Sequence, residues 1–234
     1  MASGSTGNAT KISDGETSLL LDAGITIKEI EKRTGFTLSS VSGCFTTHEH
    51  ADHSKAIKAL AKRGIDIYAS TGTFNALGLT GHRFHILKPF DIVIAGTFRV
   101  MAFDVRHDAA EPLGFLIESM IAGSNSNKGD KLVYFSDTAF VKYKFIGLTH
   151  IIAECNHGDI KLRQSVRDGS IAPELAARIT KNHMSIERLV EFLNANDLSR
   201  LKAVYLIHLS DNNSNADEFR QIVQRITGTE VYVF

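Results

Sequence analysis

The sequence predicts an α/β protein made of two mixed β-sheets with helices outside them. Three observations predict it. Apolar runs of strand character lie near both ends of the chain, helical patterns separate them, and residues 84–118 hold only short strand-like segments. That middle stretch reads as an antiparallel meander, which a doubly wound parallel sheet would lack.

The elements follow in order. "TSLLLDAG" (17–24) is a buried strand closed by an Asp-Ala-Gly turn. "ITIKEIEKRT" sets Ile25, Ile27 and Ile30 among charges, a short helix ended by Gly35. "VSGCFTT" (41–47) is a strand of small and β-branched residues. Ser54 is placed to cap a helix whose apolar face is Ile57, Leu60 and Ala61. "IDIYAS" is a short strand and "TGTFNALGL" a short helix. Pro89, Gly96 and Pro112 break the 84–118 stretch into four strand segments, and "AGSNSNKGD" follows as a polar hairpin loop. "KLVYFSD" and "THIIAEC" are strands; helices are expected over 159–166, 173–179 and 185–194. "LKAVYLIHLS" is a strand, 213–227 a helix and "EVYVF" a last strand. No repeat, linker or break in composition interrupts the chain, so 1–234 reads as one domain.

Charge narrows the function. Twenty-six basic and 26 acidic side chains cancel, so any attraction to a polyanion has to be local. The two cysteines, Cys44 and Cys155, sit in apolar runs, with no spacing of a disulfide framework or zinc knuckle. The opening "MASGSTGNAT" lacks the basic and apolar regions of a secretory signal, and no apolar run approaches the ~20 residues of a membrane span. A reducing cytoplasm, with no membrane partner, is the expected setting.

Polar residues gather at one kind of place, the carboxyl end of a predicted strand. His48 to His53 follow one strand, His107 and Asp108 another; Asp137, Glu154, His208 and Asp22 each follow one more. Strand ends on one sheet edge converge, and ligands in α/β sheets bind there. A single His after a strand is more often a hydrogen-bonded or surface residue than a ligand, and an Asp before a helix is often only a cap. The stretch "THEHADH" is different. Its H-x-H-x-D-H pattern packs four metal-capable side chains into six residues, which repel or crowd unless a cation holds them. Imidazole and carboxylate donors suit Zn²⁺ or Mn²⁺, with Fe²⁺ a third option. Glu49 lies between the donors and reads as a support or a helix-capping charge.

These residues resemble the metallo-β-lactamase superfamily. His48, His50, Asp52 and His53, then His107, Asp137 and His208, are similar in order to its dinuclear hydrolases. "LLLDAGITIKEIEK", "HDAAEPLGF", "SDTAF", "ECNHGDIKLR" and "IHLSDNNS" resemble the branch of YycJ/WalJ-like exonucleases. The resemblance implies a four-layer αββα sandwich with two divalent metal ions at one edge. One ion would take His48, His50 and His107, the other Asp52, His53 and His208, and Asp137 would bridge them. A metal-bridging hydroxide would be the nucleophile, with Asp52 orienting it. His183 in "KNHMS" matches the general acid of related nucleases, and Glu154 the carboxylate that holds it protonated. Each also has a plain reading, as a helix-start residue and as a strand-end carboxylate. Asn156 in "ECNHGD" lines the same cleft on this reading, and Ser5, Gly7 and Asn8 of "SGSTGN" form a loop with backbone N–H groups suited to phosphate. The chain departs from the family in starting without the strand that usually precedes this loop. Only 70 residues separate Asp137 from His208, too few for a β-CASP insertion.

The expected function is therefore a dinuclear metal-dependent phosphodiesterase or nuclease, a 5′→3′ DNA exonuclease, with DNA favoured over RNA. A small-molecule hydrolase of the same fold, acting on a lactone, thioester or cyclic phosphodiester, is the alternative; the His183–Glu154 pair separates the two. A non-catalytic metal module is disfavoured by seven filled ligand positions. Lys161, Arg163 and Arg167 offer local positive charge, or simply a solvated helix face.

Overall fold

The computed structural model describes residues 2–4, 6–121 and 129–234. Its strands fall into two mixed sheets, of five and seven strands, with helices flanking them. The chain divides into two units, Met1–Asp104 with Ala109–Asp130, and Val105–Asp108 with Lys131–Phe234.

The first unit opens with β1 (Thr10–Ser13) and β2 (Ser18–Leu21), an antiparallel pair. Then come α1 (Ile27–Arg33), β3 (Val41–Phe45), α2 (Ala51–Ser54), α3 (Ile57–Lys62), β4 (Ile67–Ala69), α4 (Thr71–Leu77) and β5 (Phe84–Ile86). The five strands lie in the order β1-β2-β3-β4-β5, with β2 to β5 parallel. Strand β2 is buried at all four positions, and its Leu19–Leu21 is an unbroken apolar run rather than an alternation. Leu20, Cys44 and Ile67 point into a core with Ile30, Ile57, Leu60 and Phe74 from the helices. On the other face Phe45 meets Phe115 edge-on at 5.5 Å. Phe115 belongs to a meander of β6 (Ile92–Ala95), β7 (Phe98–Asp104) and β8 (Leu113–Ser119), paired antiparallel in sequence order. The turn between β6 and β7 is tied to the β1–β2 turn by a bond from Thr97 N to Thr17 Oγ1 of 3.1 Å.

The second unit carries β9 (Lys131–Phe135), β10 (His150–Glu154), α5 (Asp159–Arg167), α6 (Pro173–Asn182), α7 (Ile186–Ala195), β11 (Ala203–Ile207), α8 (Ala216–Thr227) and β12 (Glu230–Val233). These four strands run parallel in the order β12-β11-β10-β9. Glu154 pairs with Ile207 and Ala153 with Phe135, so the residues that follow β9, β10 and β11 leave the sheet at a common edge. Ser185 and Asn215 cap α7 and α8 through their side chains.

Three readings of the sequence change. The segment from Phe84 does not join the meander: it pairs parallel to β4. Ser54 is not a cap but ends the one-turn helix α2, its hydroxyl turned back on the Glu49 and His50 carbonyls at 2.7 and 3.0 Å. The next helix starts at Ile57 without a side-chain cap. Strand β1 was not foreseen, because its four residues are half-exposed and carry a single large apolar side chain, Ile12. The expected hairpin loop at "AGSNSNKGD" lies largely outside the described residues.

Candidate functional site

In the first unit the donors stand where β3 runs into α2. His50 precedes that one-turn helix, and Asp52 and His53 lie on it. His48 and His53 are fully buried. The Asp22 carboxylate accepts hydrogen bonds from His53 Nδ1 at 2.9 Å, from the Thr47 N–H at 2.7 Å and from the Thr47 hydroxyl at 2.9 Å. A carboxylate accepting from Nδ1 puts the His53 proton there, so Nε2 is the ring's lone-pair nitrogen, the atom that the Asn8 amide approaches. The Thr47 hydroxyl donates its hydrogen bond to Asp22, so it accepts from His48 Nδ1 at 3.0 Å and fixes that ring the same way. His48 Nε2 then lies 3.1 Å from His50 Nδ1, and His53 Nε2 3.5 Å from Asp52 Oδ2.

Close backbone packing holds this loop. Asn8 N donates to the Asp52 carbonyl at 2.7 Å, and the Asn8 amide reaches His53 Nε2 at 3.0 Å. A Cβ on Gly24 would fall 1.6 Å from the Asp52 carbonyl oxygen. Gly7 has φ +146° and packs against Gly24 and Ile25. Ser5 lies outside the described residues. Glu49 is no ligand here: its Oε1 accepts from Ala110 N at 2.8 Å. Nor is Cys44, whose thiol burial and the Asp22 charge push up to about 12.

In the second unit Asp137, Glu154 and His208 stand at the carboxyl ends of β9, β10 and β11, and His107 lies in the segment Val105–Asp108. The two Asp137 oxygens diverge. Oδ2 faces His107 Nε2 at 3.7 Å and Oδ1 faces His208 Nε2 at 3.4 Å. His107 donates from Nδ1 to the Asn182 carbonyl at 3.1 Å, which makes Nε2 the ring's lone-pair nitrogen. Burial holds the His107 pKa down despite Asp137, so the ring is neutral, the form that binds metals.

His183 Nδ1 meets Glu154 Oε1 at 2.6 Å. Glu154 is fully buried, and its other oxygen accepts from Thr138 N at 2.8 Å and Met184 N at 3.1 Å. Burial opposes charge on both partners. The mutual attraction of the pair outweighs it, holding His183 above the ordinary histidine value and Glu154 below the ordinary carboxylate value. The His183 ring lies 5.6 Å from that of His107 and stacks on that of His208 at 5.5 Å. The Asn156 amide is buried against His208, donating to its carbonyl at 3.0 Å.

These residues suit divalent cations. Metal–donor bonds of 2.0–2.2 Å in tetrahedral geometry put neighbouring donors about 3.3 Å apart. Within each unit the imidazole and carboxylate pairs just described stand at 3.1, 3.4, 3.5 and 3.7 Å. Asp22, Asp137 and His208 also share a backbone feature, with φ of +59°, +47° and +57°. Left-handed residues other than glycine cost energy and gather at functional sites. Here each turns the chain sharply off a strand end.

A model of the beta-lactamase superfamily domain matches residues 17–209. The chain belongs to this superfamily. Among its curated relatives is Exodeoxyribonuclease YycJ of Bacillus anthracis, 30% identical, matched over 97% of this chain and 87% of the relative. Exodeoxyribonuclease WalJ of Streptococcus pneumoniae is 29% identical over 92% and 81%. The metallo-β-lactamase fold protein YhfI of Bacillus subtilis superposes with a TM-score of 0.69 at 17% identity, over 98% of this chain and 89% of that one. The superfamily fold is thus shared, two mixed sheets with flanking helices, as the sequence predicts. Among the described residues no helix is long and apolar enough to cross a membrane.

Sequence reasoning singled out most of these donors because they form a local cluster or follow strands. It noted Asp22 without giving it a role, and it missed Thr47, Thr138 and the Asn182 carbonyl. The one available signal was "LLLDAG", an acidic residue ending an apolar strand.

Proposed function

We propose that the protein is a metal-dependent nuclease, a 5′→3′ DNA exonuclease working with two divalent cations, Zn²⁺ or Mn²⁺. The observation that carries this reading is Asp137, with one oxygen toward His107 and the other toward His208, next to a His183 held protonated by Glu154. Two relatives that match nearly the full chain carry the name exodeoxyribonuclease, and this supports DNA as the substrate.

In this reading His48, His50 and His107 would hold one cation and Asp52, His53 and His208 the other, with Asp137 a donor available to either. When bound, such a pair lowers the pKa of water at the centre and offsets charge on phosphoryl oxygens. The chain's own groups do the rest. Asp52 accepts a hydrogen bond from the attacking water and orients it. His183 gives its Nε2 proton to the departing alkoxide, which is a poor leaving group without one. Glu154 keeps that proton on the ring until then. Asn8 and Asn156, both buried against ligand histidines, serve as positioning residues, and Gly7 shapes the loop that brings Asn8 there.

Incubation with Mn²⁺ and 5′-labelled double-stranded DNA tests the reading, with an Asp52→Ala, His53→Ala control. Labelled nucleotides released by the wild type alone support it and fix the polarity. A metal-loaded protein that cuts neither DNA nor RNA would move the assignment to a small-molecule hydrolase.

A further inference from the structure

The chain beyond Asp137 carries a pattern unused by the metal chemistry. In "AFVKYKFI" (139–146) exposure alternates: Phe140, Lys142, Lys144 and Ile146 are exposed, while Val141 and Phe145 are buried. A period of two marks an extended run with its odd and even side chains on opposite sides. Phe140 is 52% exposed, only three residues past the carboxylate placed to take both cations.

Its backbone is firmly held. Phe140 N donates to Thr138 Oγ1 at 3.3 Å, and that hydroxyl also lies 3.0 Å from the Phe140 carbonyl and 3.1 Å from the Arg106 carbonyl. Arg188 clamps the Ala139 carbonyl at 3.1 Å. Farther along, Phe145 N donates to Asn196 Oδ1 at 2.6 Å, and the Phe145 ring packs on Phe192. The Lys142 ammonium stands 5.0 Å over the Tyr143 ring. The strip thus joins an exposed aromatic face to two exposed cations on a fixed backbone, in a protein with no net charge to attract polyanions in general.

We propose that this strip is the track for the substrate strand: Phe140 stacks on the nucleobase beside the scissile phosphodiester, and Lys142 and Lys144 take the phosphates that follow. The inference rests on the nuclease reading and specifies how that enzyme grips a single DNA strand. Aromatic faces stack on any base, so the track is tolerant of sequence.

The test is steady-state cleavage of a labelled oligonucleotide by the full metal-loaded chain across a range of salt. Lys142→Ala and Lys144→Ala should each raise KM and flatten the dependence of log(kcat/KM) on log[salt] by about 0.7, the share of one single-strand phosphate. Lys58→Ala, the same charge change on α3, should leave that slope alone. Phe140→Ala should raise KM about 5- to 150-fold without changing the slope, and Phe140→Trp should restore it. Wild-type KM and slope in all three strip variants, with DNA still degraded, would overturn the track and leave the nuclease reading standing. A wild-type protein that neither binds nor cuts DNA would overturn both.

Discussion

The Asp22 carboxylate lies 2.9 Å from His53 Nδ1, and both side chains are wholly buried. The same carboxylate takes the N–H and hydroxyl of Thr47, and Thr47 takes His48. One acidic residue therefore sets the tautomer of two metal-directed rings.

Asp22→Ala should weaken metal binding about 10- to 100-fold, the usual effect of removing a partner behind a ligand. It also strands buried donors, at about 1–3 kcal/mol of stability. Competition with a chromogenic chelator and urea unfolding of the metal-free protein measure the two effects. Unchanged metal affinity would remove Asp22 from the site.

His183→Ala and Glu154→Gln should lower kcat on DNA about 10²- to 10⁴-fold while both variants keep their metal. The loss should shrink on a phosphodiester with a nitrophenolate leaving group, which departs without a proton. An equal loss on both substrates would argue against proton donation by His183.

Gly24→Ala should act on the metal loop through the backbone alone. Its Cβ would collide with the Asp52 carbonyl at 1.6 Å, an obstacle that cannot rotate away. Overpacking of this kind costs about 1–3 kcal/mol or more. Calorimetry should show a lower Tm, and metal titration a weaker site; a variant with both unchanged would mean that the loop can move aside.

Asp14 gives a pH signature away from the metals. It accepts from Thr97 Oγ1 at 2.6 Å, Ser119 Oγ at 3.0 Å and Thr17 N at 2.9 Å, tying the β1–β2 turn to the meander. Burial opposes its charge, but these bonds outweigh it and hold its pKa below the usual 3.8. A depressed carboxylate stabilises the fold above its unfolded pKa, and that contribution is lost as pH falls through the folded value. Wild type should thus exceed Asp14→Ala in urea midpoint at neutral pH, and the gap should narrow on acidification below about pH 4. A gap independent of pH would assign the effect to packing.

The sequence by itself determined most of the secondary elements of both units and most of the donors. The cluster from His48 to His53 is local, and local spacing survives any fold. The strand-end positions of Asp137, Glu154 and His208 were also legible, because β9, β10 and β11 are short apolar runs with clear ends. Tertiary structure decided what depends on pairing and register. Nothing near Phe84 says that β5 will run parallel to β4, since an isolated strand suits either partner. The bond from Asp22 to His53 spans 31 residues and exists because β2 and β3 pair side by side and end together. Asp and His tolerate the left-handed region better than most residues, but nothing local singles out Asp22, Asp137 and His208 for it; their places at strand ends of the folded sheets do. Sequence chose the donors; the packing of the strands around them sets which nitrogen or oxygen each one offers.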